Sequence, residues 1–138
     1  MPESVDTNIR FASTRQIHAS ISHMHQGHFE CAITLAAAGE GILPDTDDPH
    51  FRQKVIALEK GLPKNGNGEI RANAYINWLK HGRVHPKEER IETATISRLE
   101  VIVVIWRAIS KFIAVYGSST PQMQSFAIWA AKELATLG

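Results

Sequence analysis

Apolar residues recur along this chain at the three- and four-residue spacing of amphipathic helices, and no segment keeps the two-residue alternation of a half-buried strand. The pattern predicts an all-α fold, a bundle of about six helices in a single domain over residues 1–138. Ser13, Thr14, Arg15 and Gln16 read as a capping box, so the first helix is expected to open there, to align Ile17, Ile21 and Met24, and to stop at Gly27. Residues 1–12 are then expected to be disordered or loosely attached. A second helix over about 28–43 carries Ala32, Leu35, Ala36 and Gly39, small residues that suit close approach of a neighbour, and places Cys31 in a buried, alanine-rich setting.

Asp48 and Pro49 supply an N-cap and first-turn proline for a third helix with Phe51, Val55, Leu58 and Leu62 on its stripe. The alternating Asn and Gly residues at 65–68 read as a loop and as the most mobile segment. A fourth helix over about 69–81 presents Ala74, Tyr75, Trp78 and Leu79, with Gly82 as its stop and Pro86 shortly beyond. In the fifth, Leu99, Ile102, Trp106, Ile109, Ile113 and Tyr116 alternate three and four apart, while Val104, Ile105, Ala108 and Phe112 widen the apolar face. Only Glu100, Arg107 and Lys111 form a polar strip on this long, largely apolar helix. Such a helix belongs at a bundle centre or partly in a subunit interface, and a homodimer through the fifth or sixth helix is the expectation. Thr120 and Pro121 open the sixth, which aligns Met123, Phe126, Ala127, Ala130 and Leu134.

Composition adds little to this fold but narrows the setting. The 138 residues are 43% hydrophobic and 21% charged, the balance of a globular chain. The polar, acidic start has no signal-peptide character, and the apolar run from Val101 to Trp106 is far too short to span a bilayer. A soluble cytoplasmic protein without membrane association is expected, and a lone Cys31 excludes an internal disulfide. The net charge of +1 carries no global argument for a polyanion partner, yet residues 1–69 hold 6 Lys/Arg against 9 Asp/Glu while residues 70–138 hold 9 against 5. The basic excess is densest through Arg71, Lys80, Arg83, Lys87 and Arg90, joined by His81 and His85.

Seven histidines are the compositional oddity, four of them within eleven residues at His18, His23, His25 and His28. His18, His25, His28 and His85 are candidate imidazole ligands for a metal such as Zn²⁺, but their spacing matches no established metal motif, so no metal is assigned. No nucleophile elbow surrounds a serine, and the glycines at 61–68 lack the Gly-Lys-Ser/Thr of a phosphate loop, so no cofactor is expected.

The stretch from His28 to Glu40, followed by Tyr75-Ile76-Asn77-Trp78-Leu79-Lys80-His81, resembles small bacterial helical proteins similar to the HEPN superfamily. The likeness spans residues 14–136 in layout and about twenty residues in wording. It implies a helical bundle, often homodimeric, in a superfamily whose active members are metal-independent ribonucleases. Their signature pairs an Arg with a His four to six residues later. The cation steadies phosphate charge while the imidazole serves as acid or base. Asn77 and His81 fit the polar and histidine positions, whereas the arginine position holds Ile76. Arg71 lies ten residues before His81, about 15 Å along a helix, and Lys80 and Arg83 lie on the other side of the motif.

These readings converge on a non-catalytic binding or regulatory protein, with RNA or single-stranded nucleic acid as ligand through the Arg71 to Arg90 region and Trp78 or Tyr75 nearby. The alternatives are a degenerate or unconventional ribonuclease that uses His81, with Asn77 beside it, and a histidine-based metal-binding protein.

Overall fold

A computed structural model describes residues 1–49, 53, 56 and 71–137. Among these the structure is all-helical and holds no strand: α1 (Ile9–His25), α2 (Phe29–Gly41), α3 (Arg71–His81), α4 (Arg98–Tyr116) and α5 (Pro121–Leu137). The helix expected over 48–62 and the loop at 65–68 lie outside the described residues, apart from its opening positions and two isolated ones. No helix among the described residues is long and apolar enough to cross a membrane.

The first helix begins four residues earlier than the expected capping box. Asn8 is its N-cap, and its side-chain Oδ1 accepts from the Phe11 amide at 2.8 Å. Ser13, freed from capping, is fully buried in mid-helix, where its hydroxyl donates to the Gly39 carbonyl at 2.7 Å. Seven residues on, the Ser20 hydroxyl donates to the Ala32 carbonyl at 2.7 Å. The two serines flank Ile17, which is fully buried, and together they fasten α1 along α2. This approach is close because Gly39 has no side chain; a β-carbon there would lie 3.0 Å from Ile17 Cγ1.

The C-terminus of α2 has its last carbonyls accounted for in the same way. Ala38 O receives the Ile42 amide, Gly39 O the Ser13 hydroxyl, and Glu40 O the Leu43 amide together with Lys111 Nζ at 3.3 Å. Cys31 is exposed, contrary to the buried position expected for it. The face that α2 buries runs through Ala32, Ile33, Ala36 and Gly39, and residue 31 points away from it.

Gly27 terminates α1 with φ +80, and its amide and that of His28 return to Met24 O and His23 O, which closes a Schellman motif. At the centre stands α4, 19 residues long, with Val101 through Ile105, Ala108, Ile109 and Phe112 all buried within one chain. Its polar strip does not face open solvent. Glu100 is buried, Arg107 donates to Asn73 Oδ1 at 2.7 Å and pairs with Glu40 at 3.6 Å, and Lys111 reaches the end of α2. Thr120 caps α5, accepting the Met123 amide at 3.2 Å, and the face Met123, Phe126 and Ala130 is buried. Arg98 and Glu133, 2.9 Å apart, tie the start of α4 to the end of α5.

Candidate nucleic-acid interface

The last turn of α3 is set by two opposed demands of its sequence. Ala72 and Ala74 are buried, and Tyr75, Ile76 and Leu79 pack partly against the core, while Asn77, Lys80 and His81 fall on the exposed side. Ile76 sits partly buried at the edge of the core, where a charged side chain would lose part of its hydration.

Gly82 ends the helix in the left-handed region, with φ +70 and its amide on Trp78 O at 2.7 Å. The chain then doubles back. The Ile91 amide returns to Gly82 O at 2.9 Å, the Asn77 side-chain amide donates to Val84 O at 3.2 Å, and the Trp78 indole donates to Ile91 O at 2.6 Å. Residues 82–91 thus form a loop strapped to the helix it has just left.

Between the loop and the helix end lies an open cleft of about 780 Å³, lined by Asn77, Lys80, His81, Arg83, His85 and Arg90 with main-chain and apolar atoms of the turn. Five of these six are cationic or able to become so, and among the described residues no carboxylate lines the cleft. Glu88, Glu89 and Glu92 are exposed on the same segment but do not line it. The Arg83 guanidinium reaches Pro86 O at 3.5 Å, and His85 Nδ1 accepts the Lys87 amide at 3.3 Å, so in the neutral ring the proton sits on Nε2.

Most of the basic stretch named from sequence is brought together here. Lys80, Arg83 and Arg90 line the cleft with His81, while Lys87 is exposed outside the lining. Arg71 opens α3, ten residues before His81 on one continuous helix. The left-handed Gly82 turns the chain at the helix end, and Arg83 lines the same cleft as His81. Asn77 is engaged with Val84, and no hydrogen bond joins it to His81 among the described residues. Trp78 and Tyr75 do not line the cleft; the indole holds the loop, and Tyr75 packs against the core. The loop-holding role of Trp78 escaped sequence reasoning, since its partner is a main-chain carbonyl that carries no residue identity.

The histidines at the other end of the molecule are dispersed. His18 Nε2 lies 2.8 Å from Thr120 Oγ1, and burial lowers its pKa from the ordinary 6.5. His25 sets its ring edge-on to Trp129, with centroids 5.1 Å apart. His23 and His28 meet with Nδ1 atoms 3.3 Å apart across the Gly27 turn. Among the described residues no group of three or more His, Cys, Asp or Glu side chains is placed to share a metal ion. No protein-family model, curated protein or solved structure matches this chain.

Proposed function

We propose that this chain is a nucleic-acid-binding protein of non-catalytic, regulatory character, and that it holds RNA or single-stranded DNA at the cleft between the end of α3 and the 82–91 loop. The observation that carries the reading is the convergence of Lys80, Arg83 and Arg90 with His81 and His85 on one concave surface that no carboxylate lines among the described residues. Phosphate oxygens are the ligands that such a donor set satisfies, and their attraction to it weakens as salt rises. Fluorescence anisotropy with a labelled single strand tests it. Binding is expected at low salt, weaker at high salt, and reduced in both slope and affinity by Lys80→Ala with Arg83→Ala. Affinity indifferent to salt and to the double variant sinks the proposal.

A second reading, an unconventional ribonuclease using His81, draws on one observation: His81 is exposed in the same cleft as His85, with fixed cations beside both. Two imidazoles and a cation suffice for acid and base catalysis on a phosphodiester. Cleavage of single-stranded RNA that survives His81→Ala belongs to another site or a contaminant.

Assembly as a homodimer belongs to the same proposal. One chain already buries Val101 through Ile105, and the surface we assign to a second copy is on α5, where Ile128 is 62% exposed beside the partly buried Trp129. Light scattering should report a dimer that Ile128→Glu converts to a monomer.

A further inference from the structure

Resting on the nucleic-acid reading of the cleft, we infer that its preferred ligand is a phosphate monoester at the end of a strand rather than the diester backbone along it.

Two features of the site lead there. The first is shape. A protein that tracks a backbone sets its cations in a row along a groove, one per successive phosphate. Here Lys80, Arg83 and Arg90 all line one concavity of about 780 Å³, a size suited to one nucleotide unit rather than a run of them. The second is the match of charge. A diester carries one negative charge, whereas a terminal monoester carries nearly two near neutral pH and offers three outward oxygens. Three cations with the imidazole donors of His81 and His85 exceed what one diester can use, and they match the monoester.

Several cations elsewhere among the described residues are engaged. Arg98 pairs with Glu133, Arg107 with Glu40 and Asn73, and Arg10 lies over the Tyr116 ring at 4.8 Å. Next to the cleft, Glu89 and Glu92 face solvent and oppose a strand that continues over the loop. A compact positive cavity beside exposed carboxylates favours a ligand that ends there.

The test is anisotropy with one oligoribonucleotide sequence bearing a 5′-hydroxyl, a 5′-phosphate or a 3′-phosphate, together with calorimetric titration of a nucleoside monophosphate. A phosphorylated end is expected to tighten binding about tenfold, with little gain from lengthening the strand. Arg90→Ala, a change at an exposed side chain, should abolish the difference between ends. Competition by the free monophosphate as strong as that by the strand would make the nucleotide alone the source of the monoester; much weaker competition would make it the strand end. Equal affinity for all three ends, rising with length, overturns the inference and leaves the nucleic-acid reading standing. Monophosphate binding without binding of any strand overturns the nucleic-acid reading and with it the strand end as ligand, and leaves only the monoester chemistry of the cleft. Absence of both at low salt removes the two together.

Discussion

The indole Nε1 of Trp78 donates to the main-chain carbonyl of Ile91 at 2.6 Å, a bond between residues thirteen apart that fixes where the 82–91 loop lies against α3. Trp78 sits on the shoulder of the helix between its buried and exposed faces. Its N–H holds the returning end of the loop. The cleft is therefore made by a residue that does not line it.

Trp78→Phe keeps an aromatic ring and removes the donor. The loss of one hydrogen bond should cost about 1 kcal/mol in urea unfolding. Affinity for a single strand should fall as well, although no charge has changed, because the loop carrying Arg83 and Arg90 is released. Unaltered binding by anisotropy would separate the clamp from the cleft.

Ser13→Ala should be among the costlier small substitutions. Its hydroxyl serves the Gly39 carbonyl, one of the last four of α2, in a place where Ser13 is fully buried. The carbonyl left behind has no route to water, and a loss of about 1–3 kcal/mol is expected from chemical denaturation. Ser22→Ala, at an exposed position of the same helix, serves as the control and should be close to neutral.

Arg107 joins three helices, since from α4 it reaches Asn73 on α3 and Glu40 on α2, with only 15% of its side chain exposed. Arg107→Met leaves the Glu40 carboxylate, 16% exposed, without its cation. Destabilisation of about 2–4 kcal/mol is expected, largely recovered when Glu40→Gln is added. A double-mutant cycle in urea measures the coupling; additive losses would show that the pair contributes nothing beyond packing.

His18 gives the stability a pH dependence. Its pKa is lowered in the folded protein by burial, so below the ordinary 6.5 the unfolded chain binds a proton that the folded chain resists. Stability from this residue is complete above 6.5 and declines as pH falls through that value toward the folded pKa. Between about pH 7.5 and about pH 5 the urea midpoint of the wild-type protein should fall more steeply than that of His18→Gln. Parallel profiles would place the pH sensitivity elsewhere.

How far the sequence could be read is visible in single residues. Gly27, Gly82 and Gly117 end their helices where the spacing of apolar residues says they should, and Thr120 with Pro121 opens α5. Those are local decisions, made within one turn by backbone freedom, ring constraint and side-chain capping, and one turn of sequence holds all the information they need. Ser13 shows where that logic fails. It has the composition of a cap, but Asn8 had already started the helix, and the nearest unsatisfied carbonyl belonged to a residue twenty-six positions away.

The cleft divides along the same line. That residues 71–90 are rich in Lys, Arg and His and that Gly82 stops a helix are both properties of the linear chain. Whether Arg83 and Arg90 share a surface with His81 or point away from it is set by the sign of φ at Gly82 and by three hydrogen bonds, from Asn77, Trp78 and Ile91. Two of these end on carbonyls made available only by how the loop packs. Apolar spacing determined the helices because burial of a stripe is a periodic property of sequence; the meeting of the cations was decided by tertiary structure because it depends on main-chain groups that every residue shares.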